Sequence, residues 1–171
     1  MKHLSLIVIL FIVGIFSATA QYAVMEPRVD YLQAFTRTGT NITWSRTIVT
    51  DKSQAEIVAE ITSHITVTTI IDNIVIGKVE DVYFGTNASL LQAVLPWDSS
   101  RIKANVVYKL TDDGYIVTVS NIMYQNDAFG PKYDTIYYII CNRRGELRSR
   151  ADYDFRYLDN AFCDLLLLFN E

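Results

Sequence analysis

Histidine is nearly absent from this sequence: there are two in 171 residues, His3 and His64. His3 falls in an N-terminal targeting pattern, so one imidazole serves the rest of the chain. Zinc sites and Cys–His nucleophilic pairs need imidazole at a partnered spacing, and the chain has no H-x-x-x-H, H-E-x-x-H or C-x-x-C. Metal catalysis and a bound cofactor are therefore not expected. Cysteine is equally scarce. Cys141 and Cys163 each lie in an apolar run, where burial would oppose the thiolate that cysteine chemistry requires. An exported protein could bridge them, but two small unpaired buried hydrophobes is the favoured reading. No unbroken run of more than two lysines or arginines occurs and the formal charge is -4. Phosphate-backbone binding needs a basic face, so no nucleic-acid partner is expected. With three prolines and half its residues hydrophobic, the chain suits one ordinary core and one domain.

What is present begins with a targeting segment. Lys2 and His3 precede an apolar stretch from Leu4 to Phe16, and Ala18 and Ala20 fit a cleavage site before Gln21. Residues 1–20 are expected to be a cleaved signal peptide, and 21–171 a single domain with residues 21–40 as an N-terminal arm. The apolar run is shorter than the roughly 20 residues that span a bilayer. No integral membrane span is expected after cleavage, and the protein is expected to be exported, periplasmic or secreted.

The most secure local element is Asn105–Tyr124, two alternating apolar runs on either side of Asp113-Gly114, a pair suited to a tight hairpin. Its alternation changes phase after Ser120, because Ile122 and Tyr124 take the parity of Thr118 and Ser120. That change predicts either a bulge near Asn121 or a strand covered on both faces. Upstream, Asn41–Thr50 alternates as a first strand. Ser53-Gln54-Ala55-Glu56 reads as a capping box opening a helix with Ile57, Val58, Ile61 and Ile65 on one face, which Thr66–Thr69 ends. Ile74–Phe84 reads as a long strand with Gly77 as a bulge or close approach, after a possible turn at Asp72-Asn73. Gly85–Arg101 is a connection holding a Leu90–Val94 helical piece and Trp97. Gln125–Lys132 is a polar loop, Tyr133–Asn142 a further strand and Arg143-Arg144-Gly145 a turn. Asp159-Asn160 reads as the cap of a C-terminal helix carrying Phe162, Leu165, Leu166 and Phe169 on the face of Leu158. The fold class is α+β: an antiparallel twisted sheet of five to six strands, with a helix after the first strand and a C-terminal helix packed on one face.

From Trp44–Ile48 through Ser53–Ile65, Gly77 and Tyr108–Tyr124, the order of strand, capped helix, long strand and Asp-Gly hairpin resembles a family of exported bacterial domains of unknown function with a TATA-box-binding-protein-like fold. The resemblance spans residues 41–124. It implies a curved antiparallel sheet backed by helices in an envelope protein, and carries over no catalytic residue.

Chemistry is sparse. The acid pairs Glu80-Asp81, Asp112-Asp113 and Asp152 with Asp154 raise the alternative of a carbohydrate-active hydrolase using paired carboxylates. Turn chemistry accounts for Asp112-Asp113, and neighbours on a strand point to opposite faces. Arg143–Arg156 concentrates five arginines with acids and aromatics. The main expectation is a non-enzymatic envelope module for binding or assembly, with a protein or glycan partner. Its candidate ligand residues are Asn121, Tyr124, Tyr108, Arg148, Arg150 and Tyr153, and the leucine-rich C-terminal helix is a possible homodimer surface.

Overall fold

The computed structural model describes residues 33–83, 100–126 and 132–168. The expected signal segment, most of the expected arm, the expected Leu90–Val94 helical piece with Trp97, the middle of the expected polar loop and Phe169 lie outside them. Two short strands open the described chain: β1 (Phe35–Thr38) and β2 (Asn41–Val49). Next come α1 (Gln54–His64), the strands β3 (Thr66–Ile71), β4 (Ile74–Tyr83), β5 (Ser100–Thr111), β6 (Gly114–Asn126) and β7 (Asp134–Thr135), the single-turn α2 (Tyr137–Ile140) and α3 (Ala151–Leu166).

The seven strands form one antiparallel sheet in the order β1-β2-β6-β5-β4-β3, with β7 pairing β6 beyond the end of β2. The β5–β6 hairpin lies near the middle of that order, and Val106↔Val119 and Tyr108↔Val117 set its register. The turn residues are Asp112 and Asp113, and Gly114 is already the first residue of β6 with φ 146°. A Cβ there would sit 2.1 Å from the Ile48 carbonyl oxygen, so glycine lets β2 close on the hairpin.

Paired residues share a face. Trp44, Val75, Val79, Ile102, Ala104, Val106, Tyr108, Tyr115, Val117 and Val119 form the buried side of the sheet. Ile57 and Ile61 of α1, with Phe155, Leu158, Phe162 and Leu166 of α3, complete the same core. The capping box is present: Ser53 Oγ accepts from Glu56 N at 3.3 Å, and Ser53 N donates to Glu56 Oε2 at 2.8 Å. α1 stops at the threonine-rich β3 as the branched side chains require. Gly77 is a close approach, since a Cβ would lie 2.5 Å from Ile65 Cδ1 and 2.9 Å from the Thr66 carbonyl oxygen, and it faces a register shift in β3 between Val67 and Thr69.

Four sequence expectations are corrected. The helix α1 follows the second strand, because Phe35–Thr38 at the end of the expected arm turns at Gly39 (φ 62°) and pairs with β2. Among the described residues the sheet has seven strands rather than five or six. Tyr133–Asn142 is strand only at Asp134–Thr135; Ile140 N then bonds to Ile136 O at 3.1 Å and Cys141 N to Tyr137 O at 2.7 Å, making a helical turn. The last helix begins at Ala151, eight residues before the expected cap. Its buried face includes two carboxylates, which hide the apolar period.

Those carboxylates are held by arginine. Asp159 accepts from Trp44 Nε1 at 2.7 Å and from Arg46 Nε and Nη2 at 3.2 and 2.7 Å, joining α3 to β2. Asp154, fully buried, takes both Nε and Nη2 of Arg150 at 3.1 and 3.0 Å. Bidentate arginine satisfies both acceptor oxygens, as burial demands. Cys141 and Cys163 are unpaired, the first buried and the second half-buried, and burial pushes the Cys163 thiol up to about 11.

Candidate functional site

The face of the sheet turned away from α1 and α3 carries Ile74, Ile76, Val107 and Ile116, all half-buried, among exposed Lys78, Asn105 and Lys109. No described element packs on it along β2, β4, β5 and the first half of β6. At the far end of β5 this face becomes irregular on both sides. Lys103↔Met123 and Asn105↔Ser120 leave Asn121 and Ile122 opposite Ala104 alone. In β4, Val79↔Ala104 and Val82↔Ile102 leave Glu80 and Asp81 opposite Lys103 alone.

Two bulges thus flank β5 at one level, and each contains a residue with positive φ: Asp81 at 55° and Asn121 at 50°. Asp and Asn are the residues that tolerate this region best, at a conformational cost that surrounding structure must offset. Bulges bend a strand and re-aim its side chains. Here the re-aimed group is Asp81, placed beside Lys103 with Nζ 3.7 Å from Oδ1.

Tyr133, just before β7, completes the cluster. Its hydroxyl donates to Asp81 Oδ1, and Lys103 Nζ lies 4.2 Å from its ring centroid. Next to them Arg101 Nε donates to Tyr83 Oη at 2.6 Å, and the Arg101 guanidinium carbon lies 5.1 Å from the Tyr83 ring centroid. Half the surface of Tyr83 is exposed. The hydrogen bond from Tyr133 holds the Asp81 carboxyl below its ordinary value. Desolvation and the same bond push the Tyr133 hydroxyl up to about 12. Tyrosine stays protonated as donor and aspartate ionised as acceptor, so the cluster is electrostatically consistent over the neutral range. Cations over tyrosine rings and a lysine–aspartate pair hold these polar groups in fixed orientations, with Tyr83 and Asp81 exposed and Arg101, Lys103 and Tyr133 half-buried.

The six residues expected to bind a ligand are not gathered together. Asn121 is exposed at the β6 bulge. Tyr108 is fully buried, its hydroxyl donating to the Leu166 carbonyl at 2.9 Å, and desolvation raises its pKa; it is a core residue. Tyr124 pairs with Ile102, which puts it on the helix-bearing side. Burial and then Asp134 raise its pKa while Arg148 opposes them. Arg148 donates to the carbonyls of Cys141 and Tyr138 at 3.0 and 3.1 Å, Arg150 serves Asp154, and Tyr153 is exposed in the first turn of α3. The bulged cluster of Tyr83, Asp81, Arg101, Lys103 and Tyr133 was not read from sequence. Its signal was available: core residues of β4 fall at Val75, Gly77, Val79 and then Val82, the same skipped step as Tyr115, Val117, Val119 and Ile122 in β6.

Among the described residues no group of three or more His, Cys, Asp or Glu side chains is placed to hold a metal ion, and no helix is long and apolar enough to cross a membrane. Fold and site together define an α+β domain with one sheet face covered by helices and the other bare of any described helix. No family model matches the chain, and no curated protein matches it. Among solved structures it is similar to a DUF4468 family protein from Bacteroides ovatus ATCC 8483, with 13% identity, coverage of 77% of this chain and 84% of that chain, and a TM-score of 0.47.

Proposed function

We propose that this protein is an exported, non-enzymatic binding module of the bacterial cell envelope, with a TATA-box-binding-protein-like curved sheet whose open face docks a protein partner. The observation that carries this reading is the pair of bulges beside Tyr83, Arg101, Lys103, Asp81 and Tyr133 on the face that no described helix covers. Tyrosine and arginine dominate binding energy at protein interfaces, and the neighbouring Ile74, Ile76, Val107 and Ile116 supply apolar contact area. The apolar stripe of α3, by contrast, is spent on the chain's own sheet through Phe155, Leu158, Phe162 and Leu166.

Site-specific photocrosslinking in the producing cell tests the reading. A crosslinking residue in place of Tyr83 or Lys109 should give one defined protein adduct, and the same residue in place of Asp164 on the exposed side of α3 should give none. The Tyr83 adduct should disappear when Arg101→Ala and Lys103→Ala are added. Adducts from Asp164 alone, or from no position, would sink the proposal.

A further inference from the structure

A second site shares no residue with the open-face cluster. The chain is acidic overall, with 19 Asp and Glu against 15 Lys and Arg. Even so, Arg143, Arg144 and Arg148 line one open cavity of about 390 Å³ together with Asn142 and Glu146. Three guanidiniums against one carboxylate leave two positive charges in excess there.

The cavity stands on a fixed turn. Asn142 N donates to Glu146 O at 2.9 Å and Gly145 N to Asn142 O at 3.0 Å. Asn142 Oδ1 accepts from Arg144 N and Glu146 N at 2.8 and 3.1 Å, and Gly145 supplies the left-handed corner at φ 81°. Arg37 Nη1 clamps the turn from β1 through the Gly145 carbonyl at 2.6 Å. Arg148 is immobilised by two backbone carbonyls. The lining carboxylate, Glu146, accepts from Asn142 Nδ2 at 2.8 Å. Among the described residues no carboxylate pairs with Arg143, Arg144 or Arg148.

Arginines with no acidic partner on a preorganised turn are set for an anion from outside. We infer that this turn binds a phosphate-bearing ligand, with Arg143 and Arg144 as forks on the phosphate oxygens and the anchored Arg148 as the third wall. Guanidinium geometry matches phosphate bidentately. A phosphate group carrying about -1.5 to -2 charge balances the excess, whereas a carboxylate would leave one positive charge unmatched.

Calorimetric titration of the purified protein with inorganic phosphate at low ionic strength tests this. One saturable site is expected, with acetate at least tenfold weaker. The exposed double variant Arg143→Ala/Arg144→Ala should weaken phosphate at least tenfold with an unchanged far-ultraviolet circular dichroism spectrum. Lys78→Ala/Lys109→Ala, which removes the same charge from the open sheet face, should bind as the parent does. Co-sedimentation with anionic-phospholipid vesicles, compared with phosphatidylcholine vesicles, separates the sources. Vesicle binding lost in the arginine variant assigns the phosphate to a lipid headgroup, and phosphate binding without vesicle binding assigns it to a soluble compound. No saturable binding to phosphate or anionic vesicles, or equal losses in the two double variants, would overturn the inference.

Discussion

Replacing Asp159 by alanine should destabilise this domain more than any single exposed-charge deletion. Asp159 is 6% exposed and serves the indole N–H of Trp44, which is 0% exposed, as well as both forks of Arg46. With the carboxylate gone, the buried indole donor has lost its acceptor, at a cost of about 1–3 kcal/mol. Breaking a buried ion pair costs about 3–5 kcal/mol when both charges are fully sequestered. The Arg46 side chain is 29% exposed, so water recovers part of that amount. About 3 kcal/mol in total is the expected loss.

With a urea slope of about 2 kcal/mol per molar, the unfolding midpoint should fall by about 1.5 M. The melting temperature should drop by about 6–12 °C. Asp159→Asn keeps an acceptor for Trp44 and removes the charge, so it should lose about half as much. A double-mutant cycle with Trp44→Phe isolates the indole bond, with an expected coupling of about 1–2 kcal/mol. A loss below about 0.5 kcal/mol for Asp159→Ala, with no coupling to Trp44, would refute the view that this pair fastens α3 to β2.

The glycines should rank by what a Cβ would meet. Gly39→Ala faces open space at φ 62° and should cost about 1–2 kcal/mol for backbone conformation alone. Gly77→Ala meets Ile65 and Thr66 and should cost about 1–3 kcal/mol, partly recovered by Ile65→Val. Gly114→Ala strikes the Ile48 backbone at φ 146° and should be the worst of the three. Thermal melts that reverse this order would contradict the packing described. In alkali, Tyr133 should titrate late, at about 12, and Asp81→Asn should bring it back toward the ordinary tyrosine value of about 10. The raised tyrosine contributes stability in full below about pH 10 that is lost as pH rises toward 12, and the lowered Asp81 contributes stability that is lost as pH falls through its folded value. Ultraviolet absorbance of tyrosinate follows the first transition. An Asp81→Asn titration superimposable on the parent's would remove the hydrogen bond from the account.

Much of the scaffold was legible because it rests on local chemistry. The capping box at Ser53–Glu56, the threonines that stop α1, the β5–β6 hairpin and the phase change beside Asn121 each follow from a few neighbouring residues, and each is where it was expected. The structure chose between the two readings of that phase change, placing a bulge at Asn121. The misreadings share one cause. Asp159 looks like a capping residue until Arg46 and Trp44 reach it from β2, and Asp154, paired with Arg150 four residues earlier, looks solvent-facing until the packing of α3 buries it. Likewise the alternation in Tyr133–Ile140 fits a strand as well as a helical turn, and only pairing with β6 decides where strand ends.

The candidate site shows the same division. Sequence by itself determined an α+β chain with two histidines and an irregular end to its central hairpin, since composition and short-range periodicity depend on covalent neighbours. Tertiary structure alone decided that Glu80-Asp81 bulges opposite Lys103, that Tyr133 from beyond β6 reaches Asp81 on β4, and that Tyr108 is core. Those contacts join residues up to 58 positions apart, and strand register and helix packing, rather than any local motif, bring them together.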